Sequence, residues 1–237
     1  MAITIAVAGN PNSGKTTLFN ALTGLNQYVG NWPGVTVEKK EGVLIGHPKV
    51  ILVDLPGIYS LSTNSLEEEI ARDYLLESNP DAIINIVEGT NLERNLYLTT
   101  QLAELGIPMV LAVNMMDEVE KSGCKIDSAA LGKSFGVPVV EISALHETHI
   151  DELARVAMET AQKKGHMLPM HRFSGGVENT LGHIEEVALH NYPEQKQRWY
   201  AVKLFERNEL VEAELNLSGE LKAHIEQDIR QCELEYD

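Results

Sequence analysis

The stretch Gly9-Asn10-Pro11-Asn12-Ser13-Gly14-Lys15-Thr16 most limits what this chain can become. It has the form GxxxxGK(S/T), follows the apolar run Ile3–Ala8 and opens a helical pattern, Lys15–Leu22. Strand, Gly-rich turn and helix in that order make a loop whose backbone N–H groups curl around phosphate oxygens. The helix N-terminus adds partial positive charge. In such a loop Lys15 reaches the β- and γ-phosphates and the Thr16 hydroxyl can ligate Mg2+. Gly9, Asn10, Asn12, Ser13, Gly14 and Thr17 complete the cradle.

The rest of the first 165 residues repeats this alternation. Strand candidates are Ile3–Ala8, Thr36–Ile45, Val50–Leu55, Ala82–Val87, Met109–Asn114 and Val139–Ile142. Helix candidates are Lys15–Leu22, Leu66–Leu76, Leu92–Leu105, Ser128–Phe135 and Ile150–Lys163. Strands alternating with helices predict an α/β fold of P-loop type, with a mostly parallel sheet of six or seven strands flanked by helices. Thr36–Ile45 and Val50–Leu55, joined by a short turn, are expected to pair as an antiparallel hairpin. Ser65-Leu66-Glu67-Glu68 has the capping-box spacing. The pattern changes after Gly165: the polar stretch Lys163–Ser174 reads as a linker, and from Gly176 only helical periodicity remains, with breaks near Pro193 and Ser218-Gly219, so residues 166–237 are expected to form a small all-α domain.

Charge narrows the partners. The net charge is −16, and both parts are acidic: residues 1–165 hold 12 basic and 21 acidic side chains (net −9), residues 166–237 hold 7 and 14 (net −7). Such a field repels phosphate backbones, so no nucleic-acid partner is expected. The longest nearly apolar run, Ile107–Met116, is broken by Pro108 and Asn114 and cannot span a bilayer. Two distant cysteines, Cys124 and Cys232, suit a reducing compartment.

A phosphate loop does not choose its base. Asn114-Met115-Met116-Asp117 follows the fifth strand candidate. An Asp there can accept from the ring N–H and exocyclic amine of guanine, which adenine does not offer in that arrangement. Ser143-Ala144-Leu145 follows the sixth. The Ala144 N–H is expected to donate to the guanine oxygen, with Ser143 buttressing the loop. Asp54-Leu55-Pro56-Gly57 ends the third candidate; Asp54 would hold Mg2+ through water and the Gly57 N–H would sense the γ-phosphate. Thr36, after a Gly-rich loop from Val29 to Val35, could complete the Mg2+ shell. Ile58, the residue after Gly57, has no polar atom with which to orient an attacking water.

In order, Gly9–Thr16, Thr36, Asp54–Gly57, Asn114–Asp117 and Ser143–Leu145 resemble the five nucleotide motifs of the small GTPase superfamily. Three longer stretches narrow the resemblance: Val29-Gly30-Asn31-Trp32-Pro33-Gly34-Val35-Thr36-Val37-Glu38, Asp54-Leu55-Pro56-Gly57-Ile58-Tyr59-Ser60-Leu61 and Asn91-Leu92-Glu93-Arg94-Asn95-Leu96-Tyr97-Leu98. These are similar to the ferrous-iron transport protein B family. The resemblance implies a GTPase domain over residues 1–165 and a helical, GDI-like spacer over 166–237. It further implies a following membrane permease, small accessory transport proteins as possible partners, and a place at the cytoplasmic face of the bacterial inner membrane. It implies slow GTP hydrolysis with Mg2+, stimulated by K+, because related GTPases with Asn at the position of Asn12 are K+-activated. Asn12 with the backbone carbonyls of Gly30 and Trp32 would form the K+ cage, and Lys15, Thr36, Gly57 and Asn12 would be catalytic.

Two other readings share the nucleotide motifs: an RNA- or ribosome-associated GTPase, against which the acidic C-terminal part argues, and a nucleotide switch in which hydrolysis is incidental. Eight histidines invite a direct iron-binding reading, notably His146 with His149, and His166 with His171. None forms a cysteine–histidine cluster with metal-ligand spacing. They are expected to be solvated surface groups, and the helical segment is expected to retain no iron by itself.

Overall fold

The computed structural model describes residues 2–62, 65–163, 173 and 175–236. It divides into two compact units, Met1–Met170 and His171–Asp237. The boundary expected at residue 165 lies outside the described residues.

The first unit carries seven strands: β1 (Ile3–Gly9), β2 (Gln27–Asn31), β3 (Glu38–Val43), β4 (Val50–Asp54), β5 (Ala82–Glu88), β6 (Met109–Asn114) and β7 (Val139–Glu141). The sheet order is β2-β3-β4-β1-β5-β6-β7. From β4 to β7 all pairings are parallel, whereas β2–β3 and β3–β4 are antiparallel. The apolar runs of β5 and β6 are buried almost throughout, as expected of parallel strands covered on both faces. On one face Ile5, Val7, Ile84, Ile86, Val110 and Ala112 pack against Leu18, Phe19 and Leu22 of α1 (Lys15–Thr23) and Leu153 and Ala157 of α6 (Ile150–Gln162). The remaining helices are α2 (Leu66–Ser78), α3 (Leu92–Glu104), α4 (Met116–Lys121) and α5 (Ser128–Phe135).

The order of strands places the site. β1 lies between β4 and β5, so the chain leaves it toward one side of the sheet and later returns on the other. The crevice at the carboxyl end of such a strand is where α/β sheets hold ligands.

Two sequence expectations change. The segment Val29–Val35, read as a loop, begins as an edge strand: Gly30 pairs with Lys39 and Asn31 with Glu38. The next strand starts at Glu38 rather than Thr36, which lies in the turn. The capping box is half realised. Ser65 Oγ accepts from the Glu68 N–H at 3.2 Å, but the buried Glu68 carboxylate accepts from Ser60 N and Oγ, both at 3.2 Å. It thereby holds the loop after β4, which Gln101 also grips through the Leu61 N–H at 2.6 Å.

Among the described residues the second unit has four helices: α7 (Gly175–Ala188), α8 (Glu194–Phe205), α9 (Glu209–Glu214) and α10 (Gly219–Leu234). Asn208 and Ser218 cap α9 and α10 by accepting from Val211 N and Leu221 N. α8 is the core element, with Trp199 to Leu204 buried without a break. Leu210 belongs to α9 and is exposed.

Candidate nucleotide site

A cavity of about 690 Å³ opens at the end of β1. One end is walled by Asn10, Pro11, Asn12, Gly14, Lys15, Thr16, Thr17 and Gly57, the other by Asn114, Met115, Asp117, Glu118, Ser143, Ala144 and Leu145. The loop from Asn10 to Gly14 passes through two positive-φ residues, Asn12 (68°) and Gly14 (89°). Gly14 has no alternative there, since a Cβ would also run into the Asn114 amide. Asn10 is 3% exposed, and neither of its side-chain amide atoms has a hydrogen-bond partner; the buried Ser13 Oγ is likewise unpartnered. Buried polar atoms of this kind on a cavity wall fit a polar ligand.

Lys15 Nζ lies 2.5 Å from Asp54 Oδ1, with both side chains nearly buried. The cation assigned to phosphate and the carboxylate assigned to Mg2+ are thus one contact apart. The oxygen donors, the Asp54 carboxylate and the Thr16 hydroxyl on the cavity wall, are the hard ligands that Mg2+ takes. Gly57 packs against Pro11, and the following Ile58 donates its N–H to Gly9 O at 3.2 Å while its side chain is buried.

At the other end the polar groups are mutually braced. Asn114 Nδ2 donates to Ser13 O at 2.9 Å, and its Oδ1 accepts from the Ala144 N–H at 2.8 Å. Asn114 therefore ties the phosphate loop to the loop after β7. In this structure the Ala144 N–H, assigned to the guanine oxygen, lies at the cavity wall and donates to Asn114. Leu145 is exposed at the rim. Met115, at φ 64°, turns the chain sharply from β6 into α4 and so presents Asp117. Asp117 Oδ1 accepts from Ser143 Oγ at 2.8 Å, the buttress expected of Ser143. The Ser143 hydroxyl, with help from Lys121 and His146, outweighs partial burial and holds the Asp117 carboxyl below the usual range. Lys121, unassigned in the sequence, and His146, read there as a solvated surface group, each lie 3.4 Å from Asp117 Oδ2. The legible signals were the i,i+4 spacing of Lys121 and the adjacency of His146 to Leu145.

Other assigned residues are not brought to this wall. Thr36 is exposed and does not line the cavity. Gly30 is committed to β2, and the Trp32 carbonyl accepts from Val35 N at 3.3 Å, so neither lines it as the K+ cage required. Trp32 is instead buried edge-on against Tyr74 of α2, with ring centroids 5.3 Å apart. Burial, with Glu41 nearby, pushes the Tyr74 phenol up to about 12. Of the histidines expected to stand apart, His149 starts α6 with its ring on Glu141 O at 2.9 Å. His166 and His171 lie outside the described residues.

The family model for Ferrous iron transport protein B matches residues 3–157, and that for the FeoB cytosolic helical domain matches residues 173–237. The chain belongs to the ferrous iron transport protein B (FeoB) family. It is 44% identical over 210 residues to the Fe(2+) transporter FeoB of Salmonella choleraesuis, covering 86% of this chain and 27% of that protein. With the FeoB of Escherichia coli K12 it shares 40% identity over 240 residues, covering 99% of this chain and 30% of the relative. The chain thus spans less than a third of these FeoB relatives. Among solved structures, an S. thermophilus NFeoB variant bound to mGDP superposes with a TM-score of 0.93 at 47% identity, covering 100% of this chain and 91% of that one. S. thermophilus NFeoB bound to GDP.AlF4- and K+ superposes with a TM-score of 0.88 at 48% identity, covering 99% and 91%. The first unit is accordingly a GTP-binding domain of the FeoB type.

Proposed function

We propose that this chain binds GTP and GDP with Mg2+ and hydrolyses GTP slowly under K+ stimulation. It would serve as the nucleotide-controlled part of a ferrous-iron transporter whose permease lies in the same polypeptide. The observation that carries the reading is the two-ended cavity, with Lys15, Thr16 and Gly57 at one end and Asp117, braced by Ser143, at the other. The separation of a phosphate cradle from a carboxylate suits a nucleotide that presents two donors on its base edge.

Lys15 and the loop N–H groups would hold the β- and γ-phosphates and stabilise the charge that develops between them. Thr16 and Asp54 would hold Mg2+, which when bound neutralises phosphate charge. Ile58 cannot orient water through its buried apolar side chain, so backbone groups near Gly57 and the segment carrying Thr36 are left to do so. That absence of a polar group is the reason to expect a slow rate. Asn12, on the cavity wall, supports a K+ site; completing it with Gly30 and Trp32 would require the β2 hairpin end to repair its bonds elsewhere. The permease assignment rests on family membership and on the share of the FeoB relatives that this chain leaves uncovered.

The test is phosphate release at multiple turnover with GTP or ATP, in KCl or NaCl at equal ionic strength. GTP alone should turn over, faster in KCl, and the KCl advantage should vanish in Asn12→Ala. Equal use of ATP would refute the base assignment. Equal rates in the two salts would refute the cation assignment and leave the base assignment standing.

A further inference from the structure

We infer that the helical unit carries a binding site for a divalent first-row transition-metal ion, formed by His183, His224 and Asp228. His183 comes from α7, while His224 and Asp228 stand four residues apart on one face of α10. The two helices are in contact, with Leu181 and Ile184 of α7 and Ile225, Ile229 and Cys232 of α10 all buried, and this packing fixes the backbone beneath the cluster. The three side chains sit at its rim, 41%, 50% and 23% exposed.

Their donor atoms converge. His183 Nδ1 is 2.9 Å from Asp228 Oδ2, and His224 Nε2 is 3.7 Å from the same oxygen. The two rings meet edge to face with centroids 5.2 Å apart, and one donor atom from each residue lies within 4.8 Å of the others. Ligand atoms around a tetrahedral ion with bonds of about 2.1 Å are separated by about 3.4 Å. Rotation of half-exposed side chains can close the remaining gap without moving a helix. The ordinary alternative is a surface His–Asp hydrogen bond. That pair needs one imidazole; here a second, set by its i,i+4 spacing on α10, approaches the same carboxylate oxygen, so two ring nitrogens and one carboxylate converge.

The donor set selects the class of ion. Two imidazole nitrogens and one carboxylate are too nitrogen-rich for Mg2+ or Ca2+, and without a thiolate among them they do not favour Cu(I). They suit Fe2+, Co2+, Ni2+ or Zn2+, with the later metals binding more tightly. A hollow of about 190 Å³ adjoins the cluster, bordered by His183, Asp228, Thr180, Gln231, Glu235 and the buried Cys232, and leaves room for water to complete the shell. The net charge of −7 on residues 166–237 concentrates cations around this unit. The proposal runs against the expectation that this segment retains no iron by itself, and its grounds are independent of the nucleotide reading.

Titration of the full chain with Co2+ and with Zn2+, without nucleotide, tests the site by calorimetry and by Co2+ visible absorption. One equivalent should bind, with absorption characteristic of nitrogen and oxygen ligands, and a hundredfold excess of Mg2+ should not displace it. His183→Ala, His224→Ala and Asp228→Asn should each weaken binding at least tenfold, while His190→Ala, remote from the cluster, should not. Saturating Zn2+ should raise the melting temperature of the unmodified chain, and the rise should disappear in the His183→Ala, His224→Ala double variant. Because these are partly exposed positions, circular dichroism of each variant should match that of the parent. Binding as tight in the three cluster variants as in the parent, or displacement by Mg2+, would overturn the proposal.

Discussion

The two ends of the nucleotide cavity differ in how far they are built in advance. Around Asp117 every key polar group already has a protein partner: Asn114 bridges Ser13 and Ala144, and Ser143 holds Asp117. The segment from Gln27 to Val37, which should supply Thr36, is an exposed edge strand and turn, with Tyr28 70% and Val29 54% exposed. Its firm attachments are the ladder to β3 and the Trp32 ring against Tyr74. A wall that is fixed beforehand can discriminate between bases without reorganising. A segment held by an edge ladder and one aromatic anchor can change partners at low cost, which suits a group needed only when a γ-phosphate is present.

The largest effect should come at the phosphate end. Lys15→Ala should weaken GTP and GDP binding by about a hundredfold or more, since charge-assisted bonds to phosphate are worth about 1.5–3 kcal/mol each. Equilibrium titration with a fluorescent guanine nucleotide checks it, and a loss under fivefold would break the assignment of the cradle.

At the pre-built end, Asp117→Ala should cost more than tenfold in GTP affinity and leave weak ATP binding unchanged. Ser143→Ala sharpens the point, with a loss smaller than that of Asp117→Ala. The Ser143 hydroxyl is the main cause of the depressed Asp117 pKa, so the variant's carboxyl should titrate closer to its ordinary value near 3.8. Binding that needs the ionised carboxylate persists above that pKa and fails as pH falls through it. The acid limb of GTP affinity should therefore move to higher pH in Ser143→Ala. An unmoved limb would mean that Ser143 braces the loop without tuning the charge.

The smallest catalytic effect is expected at Ile58. Ile58→Ala should change the turnover rate only modestly, although removing a side chain that is 2% exposed should cost about 2–5 kcal/mol of stability. Ile58→Val separates the two effects by keeping most of the packing. A collapse in rate with nucleotide binding and folding intact in the valine variant would assign Ile58 a part in chemistry that its apolar side chain does not suggest.

Much of this molecule was legible because its signals are local. A strand, a glycine turn and a lysine at fixed spacing specify the phosphate loop, and a continuous apolar run specifies a parallel strand buried on both faces. The helices of the first unit follow from periodicity, with α4 alone escaping because six residues are too few to show a period. The sequence also determined the chemical type of the main groups at the site: Lys15, Thr16, Asp54, Asn114, Asp117 and Ser143 are all nameable from their motifs.

Tertiary structure alone decided who uses which hydrogen bond. That Asn114 occupies the Ala144 N–H, that Glu68 turns to Ser60, and that Gln27–Asn31 finds a ladder in β3 depend on atoms brought together from distant positions. The same is true of His183, His224 and Asp228. No spacing rule joins a residue on α7 to two on α10; the packing of those two helices does. Backbone hydrogen bonding and hydrophobic periodicity are properties of neighbours in the chain, whereas side-chain partnership is a property of neighbours in space.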